Sequence, residues 1–304
     1  MKVVSFYRFL DLENPRTFRD ALQALCDELG LLGTILVAAE GFNGTVAGSE
    51  AAVQTMFNWM RERTGIEGEL DARWTGADEA PFRRMRVKNK NEIVALGRPD
   101  ILPHKSTGEH VGPERWNELI ADPNVLVIDT RNHYEIEVGT FPGALDPGSD
   151  SFREFPEFAE ELVESSTDRP LALFCTGGIR CEKATALMIE LGFDEVYHLQ
   201  GGILNYLSEV ADGENRWVGE CFVFDKRVAV DRDLAEGGYV QCHACRRPLS
   251  TEDLQSPHYR EGVSCPRCIG ELDEDRLARL EERRKQVALA TRRGDEHIGP
   301  KSST

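Results

Sequence analysis

Hydrophobic and polar residues alternate with two different periods along this chain, and the changes of period mark its organisation. In the first third, short strand-like runs at 3–9, 34–38 and 41–47 surround a stretch in which Phe18, Ala21, Leu22, Leu25, Cys26 and Leu29 recur at helical spacing. Asn14 and Pro15 supply start signals for that helix, and Gly30 stops it. Ser49 caps a second helix with Val53, Met56, Phe57 and Met60 on one face, and a further strand is expected near 69–74. The order βαββαβ predicts a ferredoxin-like sandwich, with two helices on one side of an antiparallel sheet.

Residues 1–96 therefore read as a ferredoxin/acylphosphatase-like α+β domain. Gly, Pro and polar residues then gather over 97–115, which reads as a linker. Across 116–215 the pattern becomes strand–helix alternation. Apolar runs at 125–129, 171–174 and 195–199 suit buried parallel strands. Phe155, Phe158, Ala159 and Leu162, then Ala184, Leu187, Met188 and Leu191, form helical faces between and after them. This predicts an α/β domain with helices on both faces of its sheet. A cysteine-bearing region spans 216–290 and includes a charged helix at about 273–290, and 291–304 read as a disordered tail.

A chain of 304 residues suggests two or three cores, and 40% hydrophobic with 29% charged residues is a globular balance. No run approaches the ~18 apolar residues of a membrane span. The first fifteen residues meet Asp11 and Glu13 and carry no small-residue cleavage site, so a cytoplasmic location is expected. The net charge of −17 opposes nucleic acid at long range, although salt limits that reach to roughly 8 Å.

The chemistry concentrates after Phe174, where an apolar strand runs into Cys175-Thr176-Gly177-Gly178-Ile179-Arg180 and a helix follows. Gly177 and Gly178 let backbone N–H groups converge, the helix N-terminus adds partial positive charge, and Arg180 adds a full one. Such a loop stabilises a thiolate, which makes Cys175 a candidate nucleophile and Cys181 a candidate resolving thiol. Cys242, Cys245, Cys265 and Cys268 form two Cys-x-x-Cys pairs 19 residues apart. That spacing suits structural Zn²⁺, with an Fe–S cluster as the alternative, and leaves His243 as an exposed bystander.

Arg83, Arg84, Arg86, Lys88 and Lys90 crowd eight residues. They suit either a protected strand edge or a contact with an RNA backbone. Arg276, Arg279, Arg283, Arg284 and Lys285 alternate with Glu281 and Glu282 as on a salt-bridged solvated face. Phe42 and Asn43 lie in a glycine-rich turn, where they are either conformational or able to stack on and bond a splayed base.

Val127-Ile128-Asp129-Thr130-Arg131, Gly139-Thr140-Phe141-Pro142-Gly143-Ala144 and the Gln200-Gly201-Gly202-Ile203 turn resemble the rhodanese signature. That resemblance implies a persulfide-carrying role for Cys175. Together with Ala39-Glu40-Gly41-Phe42-Asn43-Gly44-Thr45, Phe174–Lys183, Gly219–Asp225 and the cysteine pairs, the chain to about residue 270 resembles the bacterial tRNA uridine(34) hydroxylases. Membership implies oxygen-dependent conversion of a wobble uridine to 5-hydroxyuridine, with molecular oxygen as co-substrate and the tRNA anticodon loop as partner. The residues by themselves leave two alternatives open: a thiosulfate-type sulfurtransferase, and a non-catalytic RNA-binding protein with a zinc module. No flavin or nicotinamide fingerprint is present, the seven histidines show no evident two-His, one-carboxylate spacing, and nothing specifies an oligomeric state.

Overall fold

A computed structural model of the chain describes residues 1–68, 70, 72–76, 81–166 and 168–293. They divide into two compact units, one within 1–133 and 141–216, the other within 134–140 and from 217 onward.

The first unit begins with β1 (Lys2–Phe9), α1 (Pro15–Glu28), β2 (Leu32–Ala38), β3 (Gly41–Gly48), α2 (Glu50–Thr64), β4 (Ala72–Gly76) and β5 (Met85–Asn89). Their sheet has the order β4-β1-β3-β2-β5, antiparallel except for the parallel pair β2–β5. Pro15 opens α1 and the Ser49 hydroxyl accepts from Ala52 N–H to cap α2. Phe18, Leu22 and Cys26 of α1 pack with Val53, Met56 and Met60 of α2 on Val4, Phe6, Ile35 and Val87 of the sheet. The expected ferredoxin-like sandwich is present, with β5 added as an edge strand. The strand expected near 69–74 is β4, and residues 69 and 71 lie outside the described residues.

Next come β6 (Glu109–Val111), α3 (Pro113–Ala121), β7 (Leu126–Asp129), the short α4 (His133–Ile136), and β8 (Gly139–Thr140), which belongs to the second unit. The first unit resumes with α5 (Phe155–Ser166), β9 (Leu171–Phe174), α6 (Ile179–Glu190), β10 (Val196–Leu199) and α7 (Gly202–Glu209). The sheet is parallel, in the order β6-β10-β9-β7. Alternation along β9 sends Leu171 and Leu173 toward Phe155, Ala159, Leu187 and Met188. Phe174 turns to the opposite face, where its ring meets Trp116 and Phe141, and Phe141 meets Tyr206. The segment expected to be a linker supplies β6 and the start of α3. A three-residue edge strand with one buried apolar residue, Val111, leaves no alternation to read.

In the second unit β8 pairs with β11 (Val218–Gly219), β12 (Cys221–Phe222) with β13 (Ala229–Val230), and β14 (Val240–Gln241) with β15 (Pro248–Leu249). The helices α8 (Thr251–Gln255) and α9 (Glu274–Arg292) follow. The Asp273 carboxylate caps α9, which runs past the expected end at 290, while 294–304 of the expected tail lie outside the described residues. On α9, Glu281 pairs with Arg260 rather than with a neighbour on its own helix.

Candidate functional site

Cys175 is the first residue after β9 and is almost fully buried. Its Sγ accepts a hydrogen bond from Gly178 N–H at 3.1 Å. Gly178 makes this approach at φ +94°, and a Cβ there would stand 2.9 Å from the Tyr7 hydroxyl oxygen. Burial raises the Cys175 pKa, but the Cys181 thiol, the Arg180 charge and the backbone N–H groups of Cys181 and Arg180 outweigh it and bring it down to about 6. Burial raises Cys181 instead, so the pair holds one proton on Cys181 and charge on Cys175. Of the two glycines expected to supply amides, Gly178 does so, whereas Gly177 is exposed.

The loop is braced from below. Ile203 and Leu204 N–H donate to the carbonyls of Cys175 and Thr176. Gly202 permits this at φ +68°, since a Cβ would fall 2.4 Å from Cys175 O. The Gln200-Gly201-Gly202-Ile203 turn therefore holds the cysteine loop in place. Asp129 receives the buried Arg131 in a bidentate pair, and Thr130 reaches Phe174 O and lies 3.7 Å from Cys181 Sγ.

Several residues of this neighbourhood escaped the sequence reading. The Tyr7 hydroxyl, from β1, donates to Glu182 Oε1 at 3.2 Å. His110 Nε2 lies 2.9 Å from the same oxygen, and Thr107 donates to Oε2 at 3.0 Å. Burial raises the Tyr7 pKa and keeps it a neutral phenol, and burial pushes His198 down to about 4. Burial also opposes ionisation of Glu182, but His110, His198 and Thr107 hold its carboxyl below the usual range. His110 and His198 are register partners on β6 and β10, which places a two-His, one-carboxylate cluster where the sequence showed none. The three ligand atoms lie within 4.8 Å of one another, and His198 Nε2 is 4.0 Å from Glu182 Oε2. His110 Nε2 and Glu182 Oε1, at 2.9 Å, stand at hydrogen-bonding distance. With Glu182 accepting from Tyr7 and Thr107, the arrangement is that of a hydrogen-bonded cluster.

The glycine-rich turn is corrected in part. Phe42 is fully buried between Phe6 and Phe18, so it cannot stack on a base. Asn43 donates to Ile93 O at 3.1 Å. The chemistry of this turn belongs to its neighbour Glu40, which accepts from Ile93 N–H at 2.6 Å and from Lys183 Nζ at 2.8 Å. Arg83, Arg84, Arg86, Lys88 and Lys90 are all exposed, on and beside the edge strand β5.

The four cysteines of the second unit come together as their spacing predicted. Their Sγ atoms lie within 4.8 Å of one another, with Cys245–Cys265 at 3.8 Å and Cys265–Cys268 at 3.5 Å. A tetrahedral ion with bonds of ~2.3 Å to sulfur sets its ligands about 3.8 Å apart, so the cluster fits one. Leu249, Leu254, Tyr259 and Leu272 pack around it, and His243 is exposed.

Comparison with known proteins finds two family models and a relative that spans nearly the whole chain. Residues 1–93 match a family model described as UPF0176 acylphosphatase like domain, and residues 113–209 match the rhodanese-like domain. Among solved structures, the rhodanese-like domain of an Anabaena protein is 16% identical, covering 37% of this chain and 80% of its own, with a TM-score of 0.31. An acylphosphatase from Coxiella burnetii is 15% identical over 29% of this chain and 90% of its own, with a TM-score of 0.22. The tRNA uridine(34) hydroxylase of Teredinibacter turnerae is 48% identical over 300 residues, 99% of this chain and 93% of that protein. Identity at that level over nearly the whole chain means that this chain belongs to the tRNA uridine(34) hydroxylase family.

Proposed function

We propose that this chain hydroxylates the wobble uridine of tRNA to 5-hydroxyuridine in the cytoplasm, with molecular oxygen as co-substrate and Cys175 as the reactive thiolate. The observation that carries the residue assignment is the hydrogen bond from Gly178 N–H to Cys175 Sγ at 3.1 Å, in a loop where the Cys181 thiol and the Arg180 charge lower the pKa of the buried sulfur to about 6. Arg180 and the loop amides stabilise negative charge as it develops on sulfur or on an adduct. Cys181 would hold the neighbouring proton and act as the resolving thiol. The anticodon loop is the part of tRNA that carries the target, and Arg83, Arg84, Arg86, Lys88 and Lys90 would meet its phosphates. Cys242, Cys245, Cys265 and Cys268 would hold a structural Zn²⁺, in a region whose own apolar core is small.

The same loop supports a second reading, a sulfurtransferase that carries a persulfide on Cys175, because a low-pKa thiolate amid N–H donors also suits attack on thiosulfate. One experiment separates the two. Nucleosides are analysed by mass spectrometry from tRNA of a deletion strain complemented with wild type or Cys175→Ser. Restoration of 5-hydroxyuridine derivatives by wild type alone supports the hydroxylase and its thiolate. Full restoration by Cys175→Ser sinks the catalytic assignment, and sulfur release from thiosulfate with an unchanged nucleoside profile favours the second reading.

A further inference from the structure

We infer that the accessible part of the N-terminal sheet face opposite α1 and α2 is the track on which single-stranded RNA of the anticodon loop lies, its basic row ending beside the segments that cover Tyr7 and the Cys175 loop. The inference rests on the tRNA reading above and specifies how that substrate is held.

One face of the sheet is covered by α1 and α2. Strand register defines the other. Arg86 pairs with Thr34, Thr34 with Thr45, Thr45 with Ser5, and Ser5 with Arg73, so these five side chains form one row. The 2.9 Å contact between the Ser5 and Thr45 hydroxyls confirms their shared face. The next row runs Lys88, Leu36, Asn43, Tyr7. Beyond it, Phe9 and Ala38 pack with Ile93 and Ile179, at the start of the helix that follows the reactive loop. At about 4.8 Å per strand, Arg86 and Arg73 stand about 19 Å apart, and successive rows are about 7 Å apart. A basic, hydroxyl-lined row therefore lies one step from Tyr7, whose hydroxyl sits against Gly178 of the Cys175 loop.

Charge makes this face distinct. The chain carries 53 acidic residues and a net charge of −17. Yet β1 to β5 contain no carboxylate, this face gathers Arg73, Arg86 and Lys88, and Glu182 meets it only at Tyr7. Among the described residues no ion pair engages the side chains of Arg84, Arg86, Lys88 or Lys90, and all four are exposed. A structural salt-bridged surface would pair these cations. Cations that have no ion-pair partner among the described residues, beside hydroxyls, suit phosphates.

The test is binding of a synthetic anticodon stem-loop with an unmodified wobble uridine, followed by fluorescence anisotropy over a range of salt. Arg86→Gln with Lys88→Gln should weaken binding at least tenfold and reduce the salt slope by about two. Arg86→Glu should weaken it further. Both positions are exposed, and an unchanged melting temperature excludes misfolding. The double variant should raise KM for the RNA more than it lowers kcat. Wild-type affinity and slope in the double variant would overturn the track. Cys175→Ser separates this from the chemistry: it should bind the stem-loop as wild type does while failing to modify it.

Discussion

Lys183 Nζ lies 2.8 Å from Glu40 Oε2, joining residues 143 positions apart at a fully buried site. Glu92 Oε1 completes the cluster at 2.6 Å. One residue comes from the turn between β2 and β3 and another from the second turn of α6, so the pair fixes the N-terminal sheet against the helix that follows the reactive loop. Burial raises the Glu40 carboxyl even with Lys183 beside it. Removing the ammonium leaves two carboxylates without their counter-charge. Lys183→Met is therefore expected to destabilise the chain by about 3–5 kcal/mol, read as a lower urea midpoint. A change below about 1 kcal/mol would mean the cluster is not a structural tie.

The Cys175 loop predicts a pH profile. A thiol held near 6, against an ordinary value of 9, is ionised at neutral pH and protonates as pH falls through 6. Activity should hold from neutrality down to about pH 6 and then fall roughly tenfold per unit. Arg180→Ala removes a charge that favours the thiolate, so the midpoint should move to higher pH. Ultraviolet thiolate absorbance, with Cys175→Ser as blank, measures both, and a midpoint of 8 or above in wild type would contradict the assignment.

His198 offers a stability test that is independent of turnover. Burial lowers its pKa from 6.5 to about 4, although the Glu182 charge works against the shift. The unfolded chain takes up the proton below 6.5 and the folded chain only below about 4. The contribution is fully present above 6.5 and is lost as pH falls toward 4, roughly 3 kcal/mol in all. His198→Gln should flatten the dependence of the urea midpoint between pH 6.5 and 5, and equal slopes in both proteins would remove His198 from the account.

For the four-cysteine cluster, metal analysis of purified protein should find Zn²⁺, and Cys265→Ser should lose it. Proteolysis should then open the segment around 240–272, because thiolates without an ion leave few apolar contacts to hold it. The Cys175 titration should not move. Full metal content in Cys265→Ser would exclude a four-thiolate site.

What could be read along the chain was what depends on neighbours in sequence. Periodicity and apolar runs located the N-terminal sandwich and the three inner strands of the central sheet, and Cys-x-x-Gly-x-Arg after an apolar strand marked a thiolate because all its parts lie within six residues. The four metal-spaced cysteines were legible for the same reason. Phe42 misled because the pattern of a glycine-rich turn does not say which side of a strand faces the helices. Pairing of β3 with β1 and β2 decided that, and it sent Phe42 inward.

Tertiary structure alone set Tyr7 and Glu182 together, brought His110 beside His198, and joined Glu40 to Lys183. It also aligned Arg86 with Thr34, Thr45, Ser5 and Arg73. Each of these depends on strand register or on packing between distant segments, and neither leaves a local period. The sequence determined which residues could form a charged, nucleophilic loop. Only the fold decided which distant side chains surround it, because desolvation and charge pairing act through space and not along the chain.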